Sequence, residues 1–188
     1  QKAPAQAYDA RSMGGVTRVV LDRQGRRLSS NLVLTGTARN QVAAMIRTSD
    51  DLALVVGDWP ASRKVIDLPL HKYLLADGER RVKVVGKDDP DGMKSVTLVK
   101  VRERLTGFTL LEVTIKTGRT HQIRVHLASQ GHPIAGDDKY GNFEHNKALQ
   151  RLGLRRMFLH AWHLQFNHPA TGVRIKLAAT LPSELERF

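Results

Sequence analysis

Thr117-Gly118-Arg119-Thr120-His121-Gln122-Ile123-Arg124-Val125-His126-Leu127 is the stretch around which the rest of the chain is read. Gly118 sits in a turn, and Thr120 is placed to cap a helix over roughly 121–130 that Gly131 ends. Ile123 and Leu127, four residues apart, mark the face this helix turns toward a core. A helix start offers free N–H groups and the positive end of a dipole, which suit a phosphate. Arg119 and Arg124 add charge, and an arginine can hold phosphate or carboxylate through two parallel hydrogen bonds. His121 and His126 can donate or accept. Each residue alone has a plainer reading, as an arginine on a solvated face or a histidine filling a helix.

Outward from this stretch the periodicity favours strands. Residues 95–104 and 108–115 pair across Leu105-Thr106-Gly107 as a hairpin. Leu52-Ala53-Leu54-Val55-Val56, ended by Gly57, has the continuous apolar character of a buried strand. Short strands are expected over 65–70 and 81–85. The acids of Asp88-Asp89-Pro90-Asp91-Gly92 read as a solvated turn, since they lack the spacing and closing Glu of a calcium loop. A second, basic helix is expected over 142–153, paired strands over 158–166 and 173–177, and a final helical turn capped by Ser183. Before Leu52, residues 1–15 form a loose lead-in. Residues 16–21 and 26–34 are strand candidates around the turn Asp22-Arg23-Gln24-Gly25, and Thr37 caps a helix over 38–47. The sum is an α+β fold, a mixed and largely antiparallel sheet with flanking helices, expected as one domain over 1–188 and as a monomer.

Composition narrows the chemistry. The 188 residues contain no cysteine, which excludes a disulfide scaffold, a thiolate zinc site and a cysteine nucleophile. Thirty Lys and Arg against eighteen Asp and Glu give a net charge of +12. That balance favours a polyanionic partner, nucleic acid before an anionic membrane surface. No apolar run approaches the roughly 20 residues needed to cross a bilayer. Residues 1–7 lack the apolar core of a secretory signal, so an intracellular, cytoplasmic protein is expected. The chain begins without Met and is expected to be a piece of a longer polypeptide. A zinc hydrolase fits poorly, because His121 and His126 are five residues apart with no Glu between them.

The string from Thr117 continues through Ala128-Ser129-Gln130-Gly131-His132-Pro133-Ile134-Ala135-Gly136-Asp137-Asp138-Lys139-Tyr140-Gly141. As a whole it resembles the signature of the RluA-type pseudouridine synthases, which isomerise uridine in RNA. Within them it is most similar to the RluC-like branch acting on large-subunit ribosomal RNA. Leu52-Ala53-Leu54-Val55-Val56 resembles a strand that the family opens with Tyr. Leu159-His160-Ala161, followed by Phe166-Asn167-His168-Pro169, resembles the family's C-terminal segment. The resemblance runs in order from Leu52 to the end. It implies structured RNA, most simply ribosomal RNA, as partner, no metal, no organic cofactor, and a base flipped from its stack. It also implies an aspartate near C1′ or C2′ of the ribose, kept ionised by Arg124, and Leu159 lining the base pocket. Arg119, His121, Arg23, Arg27, Arg80, Arg81, Arg155 and Arg156 are the candidate RNA contacts.

The resemblance breaks in two places. The family's aspartate lies in His-Arg-Leu-Asp-x-x-Thr-Ser-Gly, of which no intact copy exists here. Leu21-Asp22-Arg23 keeps its centre and makes Asp22 one candidate. Arg26-Arg27-Leu28 and Ser29-Ser30 keep its flanks, with the aspartate absent between Leu28 and Ser29. Asp51 stands where the family has its Tyr. Three readings stay open at this point: a longer polypeptide that carries the missing residues, a rearranged site using Asp22, or a degenerate RNA-binding or ribosome-assembly module.

Overall fold

The computed structural model describes residues 7–8, 19–20, 46–167 and 172–188. Contacts gather the chain into two compact units, Gln1–Ser49 with Ala161–Thr180, and Asp50–His160 with Leu181–Phe188.

In the first unit, β1 (Ala7–Tyr8) pairs antiparallel with β2 (Val19–Val20). β9 (Leu159–Asn167) enters this unit at Ala161 and pairs with β10 (Arg174–Ala178), Phe166 opposite Ile175 and Leu164 opposite Leu177. Trp162 and His163 stack with ring centroids 3.8 Å apart.

The second unit is built on a sheet with the order β3-β8-β7-β4. Its strands are β3 (Ile46–Val56, in this unit from Asp50), β4 (Val65–Asp67), β7 (Val96–Leu105) and β8 (Phe108–Ile115). All pairings with a described register are antiparallel, with Ala53 opposite Leu111 and Val99 opposite Val113. β7 and β8 turn through Thr106-Gly107, where Gly107 takes φ 77°, a conformation that side chains with a Cβ resist. A separate ribbon pairs β5 (Leu70–Leu74) with β6 (Arg80–Val84).

Alternation along β3 explains why its run is apolar on both faces. Ala53 and Val55 join Val99, Leu111, Val113, Ile123 and Leu127 in one core cluster. Leu54, one residue out of phase, joins Ala135, Leu149, Leu154, Phe158 and Leu185 in another. The helix α1 (Gln122–Ser129) therefore covers one face of the sheet. α2 (Phe143–Arg151) and α3 (Ser183–Glu186) serve the other. Burying a side chain such as Leu127 fully is worth about 2 kcal/mol, which anchors α1 by its Ile123–Leu127 stripe.

Several sequence expectations need correction. The strand expected over 65–70 is two strands, because Pro69 has no N–H to continue the ladder. Ile46 and Arg47, expected at the end of a helix, lie in β3, where β-branched Ile46 and Thr48 suit extended backbone. Ala7–Tyr8, expected in a loose lead-in, form β1 and are the partner of Val19–Val20. The rest of that helix and the return strand over 26–34 lie outside the described residues.

Asp51 shares its side of β3 with Ala53 and sits opposite Val113. Burial pushes its carboxyl up to about 7, and neighbouring Asp50 adds to the effect. The folded state thus keeps a proton that the unfolded chain gives up near pH 4. The associated stability is full below that pH and is lost as pH rises toward 7. Asp51→Asn should raise the thermal midpoint at pH 8 by the equivalent of on the order of 3 kcal/mol and change little at pH 4. A gain of equal size at both pH values would show that Asp51 does not titrate in this way.

Candidate active site

The loop before α1 is fastened from beneath by one buried side chain. Gln122 Oε1 accepts hydrogen bonds from Thr117 Oγ1 (2.8 Å) and from the Arg119 backbone N–H (3.1 Å). Its Nε2 donates to the Val96 carbonyl and to Thr97 Oγ1, each at 3.0 Å. The same Thr97 oxygen lies 2.8 Å from His126 Nδ1, and His126 Nε2 reaches the Leu68 carbonyl at 2.9 Å. A carbonyl can only accept, so Nε2 carries the proton and Thr97 donates to Nδ1. His126 is thereby a satisfied core residue, fully committed inside the fold.

The expected cap is replaced. α1 begins at Gln122, and the capping position is His121, not Thr120, with no side-chain cap bond. Here Gln122 itself takes up the loop's Arg119 N–H. His121 adopts φ 53°, the one positive φ at a non-glycine among the described residues. Such a conformation costs roughly 1 kcal/mol or more and is retained only where surrounding contacts impose it.

Arg124, one turn into α1, faces the loop that follows the helix. Its Nε donates to Asp137 Oδ2 at 2.8 Å and its Nη2 to Asp137 Oδ1 at 2.6 Å, with a further bond from Nη2 to Asp138 Oδ1 at 3.1 Å. The Asp137 side chain is fully buried, that of Arg124 is 13% exposed, and that of Asp138 is 85% exposed. Asp137 Oδ1 also accepts the N–H groups of Lys139 (2.9 Å) and Tyr140 (3.0 Å). Burial alone raises the Asp137 carboxyl, and Arg124 with these N–H groups outweighs it and holds the group below the ordinary range.

The loop carrying Asp137 is clamped by α2. Asn146 Nδ2 donates to the Asp137 carbonyl at 2.7 Å, and Asn146 Oδ1 accepts the Gly136 N–H at 3.0 Å. Gly136 has φ 76° and lies against the Arg156 carbonyl, where a Cβ would collide. Asn142 caps α2 by accepting the His145 N–H at 3.0 Å, as the Asn142 start of the expected helix requires.

Tyr140 closes the cluster. Its hydroxyl lies 2.8 Å from His121 Nδ1 and accepts the Val82 N–H at 3.1 Å. The guanidinium groups of Arg124 and Arg81 lie 5.1 and 5.8 Å from its ring centroid. Arg81 donates to the Lys139 carbonyl and pairs with Glu79 at 3.2 Å, so it braces the loop. Beside the cluster, Leu70, His71, Lys72, Met93, Arg119 and Thr120 line a cavity of about 370 Å³. Arg119 Nε is held by the Lys94 carbonyl at 3.2 Å.

The structure thus brings together Arg124, His121 and Arg81 around Tyr140, whereas the Arg119 side chain turns to the Lys94 carbonyl and the cavity. Arg80 and Arg155 are exposed, and Arg156 pairs with Glu184 at 3.0 Å. Leu159 packs against the α1-side core. Asp22, Arg23, Arg27 and the Leu28–Ser29 junction lie outside the described residues. Asp137 and Tyr140 are the members that residue-by-residue reading missed. Both lie in the signature string, but neither is in helical or strand phase with its partner.

The two acids on Arg124 should behave differently when neutralised. Asp137→Asn leaves the mostly buried guanidinium without its main partner and should cost about 3 kcal/mol, a fall in thermal midpoint of about 10 °C. Asp138→Asn should cost under about 1 kcal/mol. Because the Asp137 carboxyl is lowered in the fold, its contribution is present above the unfolded value and lost as pH falls through the carboxylate range. Equal losses in the two variants at pH 7 would contradict this geometry.

Comparison with known proteins identifies relatives of the chain. The family model described as RNA pseudouridylate synthase matches residues 37–129, which include His121 and Arg124. The ribosomal large subunit pseudouridine synthase C of Yersinia pestis is 47% identical over 136 residues, 72% of this chain and 41% of that protein. The protein of the same name from Escherichia coli K12 is 45% identical over 140 residues, 73% of this chain and 43% of that protein. The chain therefore spans about two fifths of the length of these relatives. Among solved structures, Human RNA Pseudouridylate Synthase Domain Containing 1 aligns with a TM-score of 0.62 at 25% identity, covering 80% of this chain and 63% of that one. With the α+β sheet, the signature string and these relatives in agreement, the chain belongs to the RNA pseudouridylate synthase family.

Proposed function

We propose that this protein isomerises uridine to pseudouridine in RNA, and that its substrate is large-subunit ribosomal RNA in the cytoplasm. The observation that carries the reading is Arg124. Within the signature string, its Nε and Nη2 are spent on Asp137 and Asp138, while Nη1 enters none of these bonds. A guanidinium pinned on one edge presents the other edge in a fixed direction, as a site for a carboxylate needs.

The reaction breaks the C1′–N1 bond of the target nucleotide, turns the uracil and joins C1′ to C5; the C5 proton is released and N1 takes up a proton, so that product and substrate are isomers. It redistributes bonds within one nucleotide and consumes no second substrate. On this reading a carboxylate near C1′ or C2′ is kept ionised by the Nη1 edge of Arg124. Asp22 is the candidate that the chain carries in a family-like Leu-Asp-Arg context. Arg119 and His121 contact RNA beside the target, and Leu159 lines the base pocket. Exposed Arg80, Arg155 and Arg156, with Arg23 and Arg27, add to the basic surface along which the RNA lies. Among the described residues no helix is long and apolar enough to cross a membrane. The net charge of +12 fits a polyanion, so affinity should fall steeply with added salt.

Tritium release from large-subunit ribosomal RNA labelled at uridine C5 tests the reading. Release is expected from the unaltered protein. Arg124→Lys keeps the charge but loses the planar fork, and should slow release by about 100-fold or more. Asp22→Asn should abolish release if Asp22 is the carboxylate. Binding without any release by the unaltered protein would overturn the enzymatic reading in favour of a module that only binds RNA.

A further inference from the structure

The Tyr140 hydroxyl serves two neighbours with one proton. Val82 in β6 donates its backbone N–H to the phenol oxygen at 3.1 Å. His121 Nδ1 lies 2.8 Å from the same oxygen. An arrangement that satisfies all three groups has the phenol accepting from Val82 and donating its own proton to Nδ1. The reverse, with Nδ1–H donating, would leave the phenol proton without an acceptor among the described residues. The backbone of His121 is held at φ 53°, so the ring is aimed at Tyr140 against its own conformational preference.

The charges facing this ring act in the same sense. Arg124 from α1, Lys139 from the following loop and Arg81 from β6 all disfavour an imidazolium, and Asp137 alone opposes them. Burial is the largest influence, and together these hold His121 below its ordinary value. A bond donated into Nδ1 further favours the uncharged ring. Nε2 is then the protonated nitrogen, on a half-buried residue near Arg124.

We propose that Tyr140 is a positioning residue that fixes His121 as a neutral imidazole protonated at Nε2, so that His121 offers the RNA a directed hydrogen-bond donor in place of a cation. Its partner is a phosphate, ribose or uracil oxygen next to the target. A neutral donor can bond such an oxygen without adding charge to a cluster that already holds Arg124, Arg81 and Lys139. The proposal rests on the reading of this site as an RNA-modifying one, but its first test needs neither RNA nor activity.

The test is long-range ¹H–¹⁵N correlation of the histidine rings in the full chain, with His121 assigned by loss of its signals in His121→Gln. The unaltered protein should show His121 with a protonated Nε2 and an unprotonated Nδ1 at pH 7–8. Tyr140→Phe removes the donated bond and should raise the His121 midpoint by about half a unit to one unit, with mixed tautomers above it. Binding of a uridine decamer should change less between pH 8 and pH 6 for the unaltered protein than for Tyr140→Phe. An Nδ1–H ring or an imidazolium at pH 7 in the unaltered protein overturns the proposal without any variant having to fold. So does an unchanged His121 titration in a folded Tyr140→Phe. Failure of tritium release with the predicted tautomer present would instead fault the catalytic reading alone.

Discussion

A single ion pair, Arg124 with Asp137, ties together the parts of the molecule that form the candidate site. Arg124 belongs to a helix fixed to the sheet by Ile123 and Leu127, and Asp137 belongs to a loop fixed to the second helix by Asn146. Neither charge could be buried alone, since an unpaired buried ion costs several kcal/mol. The pair therefore requires both supports at once, and the Asp137 carboxylate extends the requirement to the N–H groups of Lys139 and Tyr140. Tyr140 in turn reaches His121 and Val82, so one carboxylate sets the positions of residues in a helix, a loop and a strand ribbon.

The polar groups around this pair are each assigned a definite protonation state by their neighbours. Gln122 and Thr97 lock His126 as a core residue with its proton on Nε2. Asp137 stays ionised because cation and backbone donors outweigh its burial. Arg124 keeps one edge of its guanidinium outside the pair. The proposed function would need such preorganisation, because groups free to reorient would do so in response to each new charge. The strained backbone at His121 fits the same pattern, with an unfavourable local conformation held by contacts on several sides.

Much of the fold was legible because its signals are local. The apolar run Leu52–Val56, the hairpin turning at Gly107 and the basic helix capped by Asn142 each carry their instruction within a few residues. Pro69, which divides one expected strand into two, was an available signal that the apolar period masked. The site was legible only in part. Arg124 stood out through its motif, but Asp137 is thirteen residues away across two glycines, a separation no helix or strand period connects. The Tyr140–Val82 contact spans 58 positions. The left-handed backbone at His121 is one that non-glycine residues usually avoid, so residue preference pointed to Thr120 as the cap.

The dependence of the site on the central pair is most directly measured by a double-mutant cycle in unfolding free energy. It compares the unaltered chain, Arg124→Ala, Asp137→Ala and the double variant at pH 7. Each single change should cost about 3 kcal/mol, and the double change little more than either, a coupling of about 2–3 kcal/mol. Costs that add to within about 0.5 kcal/mol would contradict the account, because they would mean the two charges are held independently.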